Sequence, residues 1–81
     1  MNIINYAEFL VKSICKEPDL VKVTEYDTES EGKILDIMIP ESSAGSVIGK
    51  DGRNAKSLRI LISAYAYIHN LGNIKVKIDT F

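Results

Sequence analysis

The chain has 81 residues, 46% of them hydrophobic, enough for one buried core and too few for two. That composition excludes general disorder, and no apolar run reaches the ~18–20 residues of a membrane span. The net charge of −1 hides an asymmetry: residues 1–48 hold four basic and nine acidic side chains, whereas residues 49–81 hold six and two, a net −5 against +4.

Residues 3–16 are expected to form a helix. At about 100° per residue, Ile3, Ile4, Tyr6, Ala7, Leu10, Val11, Ile14 and Cys15 share one arc, with Asn5, Glu8, Lys12 and Lys16 opposite. Asn2 suits the N-cap, and Pro18 closes the segment. Phe9 falls on the polar arc as an isolated exposed aromatic. The lone Cys15 cannot make an internal disulfide, and its apolar neighbours predict a buried, reduced thiol in a cytoplasmic protein. No basic stretch followed by a continuous apolar segment opens the chain, so no signal peptide is expected.

Two strands follow. Residues 20–27 are β-prone, with Val21 and Val23 on one face and Lys22, Thr24 and Tyr26 on the other. After the polar turn Thr28-Glu29-Ser30-Glu31-Gly32, residues 33–39 place Leu35, Ile37 and Ile39 on one face, and Pro40 ends the run. So short a turn implies an antiparallel hairpin.

Ser42 or Ser43 is the expected cap of a short helix to about Ile48. The stretch Val47-Ile48-Gly49-Lys50-Asp51-Gly52-Arg53 comes next, and residues 53–69 then give the most regular helical pattern. Ala55, Leu58, Leu61, Ile62, Tyr65, Ala66 and Ile68 form its apolar arc, with Arg53, Lys56 and Arg59 across from it. Asn70-Leu71-Gly72-Asn73 is a helix stop, with Gly72 suited to the left-handed position. Residues 74–78 alternate as a last strand, with Lys75 and Lys77 facing out.

The order is α-β-β-α-α-β. A strand leading through two helices to another strand favours a right-handed crossover and parallel pairing, while the first hairpin adds an antiparallel edge. Lys22, Thr24, Asp36, Lys75 and Lys77 make one sheet face polar. The predicted fold is an α+β two-layer sandwich, a three-stranded mixed sheet covered by helices on one face.

Glycines three apart, with a lysine between them and a helix starting at the second, are chemistry for an anion. The backbone is bare, the helix dipole points at the same spot, and Lys50 adds a mobile charge. With Ile48 before the Gly49–Gly52 loop, Arg53 after it, and that element order around it, the chain resembles a type II KH domain. Its length and N-terminal helix resemble the small bacterial single-domain KH proteins (KhpA-type).

The resemblance spans residues 1–81 as one KH domain and implies a single-stranded RNA-binding protein. In such domains a GxxG loop grips about four nucleotides. On that basis Ile48, Gly49, Lys50, Asp51, Gly52 and Arg53 meet the backbone. Lys56 and Arg59 extend the basic track, and Ala44, Val47, Ile48, Ile37 and Ile39 are candidates for an apolar floor under the bases. KH loops often carry one acid, which for Asp51 implies weaker binding. The family role would be that of an RNA chaperone or post-transcriptional regulator. Ile60, Ser63 and Tyr67, on or beside the polar arc of the long helix, suggest a dimer face. The family resemblance points there to a homodimer, or to a heterodimer with a larger KH-containing protein linked to cell-envelope and division control.

Other chemistries lack parts. The run Gly45 to Asp51 is one residue short of a Walker motif and has Asp where magnesium needs Ser or Thr. His69 is the sole histidine, at a helix end and without a nucleophile signature nearby. One His and one Cys cannot make a metal site. No enzyme activity, cofactor, metal, small-molecule substrate or membrane partner is therefore expected. The rival reading is a protein-interaction adaptor, or a dimerising KH fold with little RNA binding.

Overall fold

The computed structural model describes residues 2–81. Its elements are α1 (Ile3–Lys12), β1 (Lys22–Thr28), β2 (Gly32–Ile39), α2 (Ala44–Ile48), α3 (Arg53–Ile68) and β3 (Ile74–Thr80), in the predicted order. Single 3-10 turns occupy Pro18–Leu20, Glu41–Ser43 and Lys50–Gly52.

The start of α1 is as expected. Asn2 Oδ1 accepts from the Asn5 amide at 2.8 Å, a cap of about 1 kcal/mol. Its end comes four residues early. The Ser13 hydroxyl donates to the carbonyls of Phe9 and Leu10 at 2.7 and 2.9 Å, and the Ile14 amide reaches back only to Val11. That i−3 bond tightens the last turn and stops the helix well before Pro18. Ile14 is consequently 37% exposed, and Cys15 is half-buried against the core rather than inside it.

In the sheet, β2 is central. It pairs antiparallel with β1, from Lys22 opposite Met38 to Thr28 opposite Gly32, and parallel with β3, from Lys33 opposite Ile74 to Ile39 opposite Thr80. Gly32 takes a φ of +74°, and Thr28 Oγ1 accepts from the Glu31 amide, which closes the hairpin.

Leu35, Ile37 and Ile39 point into the helical layer and are fully buried, with Ala7 and Val11 of α1, Val47 of α2, and Leu58, Ile62 and Ala66 of α3 packed in the same core. Each large aliphatic among them contributes about 1.5–3 kcal/mol relative to exposure. Tyr6 of α1 stacks on Tyr65 of α3 with ring centroids 4.6 Å apart, and Tyr65 on His69 at 4.1 Å. Those rings seam the two helices together.

The opposite sheet face carries Lys22, Thr24, Tyr26, Asp36, Met38, Lys75, Lys77 and Asp79, the wet face that strand alternation predicts. Ile34 is the exception. It lies on this face yet is only 2% exposed, set in register between Tyr26 and Lys75. Lys75 in turn reaches Glu31 at 2.8 Å, and that hydrogen bond and charge hold the Glu31 carboxyl below its ordinary pKa. Asp36 behaves oppositely. Partial desolvation, a hydrogen bond shared with Asp79 and the Asp79 charge push it up, against a smaller pull from Lys77.

Two helix ends differ in detail from the sequence reading. Neither Ser42 nor Ser43 caps α2 with its side chain. The preceding 3-10 turn hands the chain over in near-helical geometry, and the Ser43 hydroxyl is buried with no partner among the described residues. At the end of α3, Gly72 takes the expected positive φ, +78°, and Asn70 takes a second one directly beside the helix, at φ +56°. The Leu71 amide then bonds Ala66 at 2.8 Å and the Asn70 amide bonds Tyr67 at 3.2 Å.

Candidate nucleic-acid interface

The corner between α2 and α3 is built by left-handed backbone. Gly49 leaves α2 at φ +79° and ψ 173°, Asp51 sits at φ +57°, and Gly52 enters α3 at φ +75°. The first of these regions is open only to glycine, whereas Asp tolerates the second. The Gly52 amide bonds the Gly49 carbonyl at 3.2 Å, which folds the four residues into a tight corner.

The two glycines are bare for different reasons. A Cβ on Gly49 would meet Asn54 Cγ at 2.8 Å, so there the Asn54 side chain would have to shift to admit it. A Cβ on Gly52 would meet nothing within 4 Å, so there only the backbone angle, or something arriving from outside, demands glycine. Asn54 itself donates from Nδ2 to the Ser46 carbonyl at 2.8 Å, tying the first turn of α3 to α2 beneath the loop. The sequence reading did not single it out. An asparagine just inside a helix is a sign of side chain-to-backbone bonding, but a partner eight residues back is invisible until the corner is folded.

Gly52 begins α3, no side chain caps that end, and its first turn holds no acid. The positive end of a sixteen-residue helix therefore faces the loop with no side-chain cap, Asp51 lying just before it. Lys50, Arg53 and Lys56 are exposed around it, and among the described residues none of the three is in an ion pair. Arg59 is turned elsewhere. Its Nε donates to the Val76 carbonyl of β3 at 3.4 Å, a contact with the sheet that leaves its charge exposed.

The apolar floor is smaller than expected. Ala44 and Ile48 are half-buried and accessible beside the loop. Val47, Ile37 and Ile39 are fully buried in the core, because the central strand aims its odd-numbered residues at the helices and α2 lies over them. They support the floor from beneath. Farther along α3, Ser63 is exposed, Ile60 is 60% and Tyr67 83% exposed, and Leu61 and Ile68 extend the apolar strip at 45% and 71%. Leu61 and Ile68 belong to the apolar arc that the sequence predicts, but the layer covering α3 is narrower than that arc. Among the described residues no group of three or more His, Cys, Asp or Glu side chains is placed to hold a metal, and no helix is long and apolar enough to cross a membrane.

A family model described as the KhpA/KhpB KH domain matches residues 5–78. A Thermotoga maritima protein named RNA-binding protein KhpA is 47% identical over 57 residues, 70% of this chain and 75% of its own. Proteins of the same name from Borreliella burgdorferi and Streptomyces coelicolor are 37% identical over 65 residues and 33% over 72. These cover 80% and 89% of this chain, and 78% and 82% of theirs. No solved structure matches the chain. With the family match running from α1 to β3 across the Gly49–Gly52 corner, this chain belongs to the KhpA/KhpB KH-domain family.

Proposed function

We propose that residues 1–81 act as one KH unit that binds single-stranded RNA without catalysis. The loop Gly49–Gly52 grips about four nucleotides, and the role in the cell is that of an RNA chaperone or post-transcriptional regulator. The observation that carries this reading is the uncapped start of α3 at a glycine corner, with three cations beside it that form no ion pair among the described residues. Amides at that helix end donate to phosphate oxygens, Lys50 follows the phosphate as a point charge, and Arg53 and Lys56 continue the positive surface away from the loop. Ala44 and Ile48 take the apolar faces of the bases. The names of the relatives, each an RNA-binding protein, support the same partner.

Binding should be micromolar, about −7 to −8 kcal/mol. Asp51 opposes phosphate, and residues 41–60, which hold the loop, include no aromatic side chain on which a base could stack. Titration with mixed-sequence oligoribonucleotides should shift the amide resonances of Gly49 to Arg53 in NMR spectra and leave those of β1 in place. Amides of the loop that stay unmoved through saturation would refute the reading.

The exposed strip Ile60, Leu61, Tyr67 and Ile68 favours a second component, self-association through α3. Two copies joined there would present two weak loops to one strand and gain by avidity. The same strip could seat a larger KH-containing protein in place of the second copy.

A further inference from the structure

We propose that Asn54 is a positioning residue of the RNA loop, holding the Gly49–Gly52 corner in its phosphate-accepting shape without touching RNA. The inference rests on the RNA reading of that loop and adds to it the part that presets its geometry. Three observations meet at this side chain. Its amide donates to the Ser46 carbonyl at 2.8 Å, linking the segment that enters the loop to the helix that leaves it. Its Cβ, Cγ and Nδ2 fill the space behind Gly49, where an added methyl would lie 2.8–3.1 Å from them. Gly49 there adopts φ +79° and ψ 173°, held by two backbone bonds alone, its amide to the Gly45 carbonyl at 3.1 Å and its carbonyl from the Gly52 amide at 3.2 Å.

A glycine-rich corner has many accessible conformations, and ordering one of them at the moment of binding lowers affinity. A brace already present in the free protein removes that cost. Asn54 is the described side chain that spans the corner from the α3 side, and it does so from the second position of the helix, where an exposed residue is otherwise free to vary. At about 100° per residue, Asn54 lies roughly 100° or more around the helix from the exposed cations Arg53 and Lys56, so the brace and the charges fall on different faces of the same turn.

The test compares wild type, Asn54→Ala, Gly49→Ala and the double variant with a mixed-sequence oligoribonucleotide. Titrations run well below each variant's own unfolding midpoint, so loss of folded protein does not enter. Asn54→Ala should bind about tenfold more weakly, the equivalent of one hydrogen bond, with the salt dependence of binding unchanged because no charge is removed. Amide hydrogen exchange at Gly49 to Gly52 in the free variant should rise while that of the β2 amides stays put. Gly49→Ala should cost less affinity in the Asn54→Ala background than in wild type, since the truncation makes room for the new methyl.

Wild-type affinity in Asn54→Ala, or unchanged loop exchange, overturns the positioning role and leaves the RNA reading intact. Strictly additive costs in the double variant overturn the packing of Asn54 behind Gly49. A wild type that binds no RNA overturns both the loop assignment and this inference.

Discussion

Lys50 is the residue on which the charge argument for the loop turns. It is exposed and unpaired among the described residues, and Asp51 beside it already carries an acid. Lys50→Asp would set two carboxylates at the helix start where phosphate must sit. RNA binding should be abolished, and the melting temperature should move by less than about 3 °C, because a surface loop position contributes little to the fold. In wild type the log–log salt slope should be only about −1.5 to −2, as for two or three neutralised phosphates on a single strand. Unchanged retention of single-stranded RNA by Lys50→Asp would favour the adaptor reading. At this scale the sequence was legible where spacing carries the meaning: Gly49, Lys50 and Gly52 stand out in a bare string. It was silent where a role depends on a fold-made neighbour. Asn54 meets Ser46 across eight positions, and Arg59 meets Val76 across seventeen.

Among the elements, α3 does the most. It supplies the loop's positive end, buries Ala55, Leu58, Ile62 and Ala66 against the sheet, and leaves Ile60 and Tyr67 in solvent. If that outer strip joins two copies, Tyr67→Glu should convert a dimer to a monomer in sedimentation equilibrium at tens of micromolar, while circular dichroism stays that of the folded chain. Exposed side chains so substituted usually change stability by no more than about 0.5 kcal/mol. A wild type that sediments as a monomer throughout would remove the dimer from the account. Helical periodicity made α3 readable to within one residue, since sixteen positions average out single irregularities. In α1 the same method overshot. Ser13 bends its hydroxyl back onto the preceding turn, and composition alone does not say whether a serine will do so. The start of α2 misled in the opposite way, because a 3-10 turn replaced the hydroxyl cap.

For the whole molecule, the alternation of β1, β2 and β3 was enough to assign faces, and the connections between them gave the direction of each strand pair. The polar face, however, hides an electrostatic cost the sequence does not display. Asp36 and Asp79 lie diagonally on adjacent parallel strands, with Lys77 beside them on β3 and Lys22, Thr24 and Tyr26 facing from β1. A hydrogen bond between their carboxyls exists only while one holds a proton, and Asp36 Oδ1 is buried without a donor among the described residues. The folded state therefore binds that proton more tightly than the unfolded chain does. The penalty is present above the raised pKa and is relieved as pH falls through it. Glu31 works in the opposite direction, but its contribution is lost only below its ordinary value of 4.5. The Asp36 contribution to the melting temperature should accordingly rise as pH falls through that raised pKa. Asp36→Asn, whose amide donates to Asp79 at any pH, should raise the midpoint at pH 7 and flatten that rise. Equal pH profiles for the two proteins in differential scanning calorimetry would contradict the shared proton.

The contact between Arg59 and the Val76 carbonyl has one more consequence. Since β3 forms a border of the sheet, its outward backbone groups are a template on which a foreign strand could zip up. A guanidinium parked on one of those rungs interrupts the template. The molecule is thereby steered away from fibre-like stacking along that border.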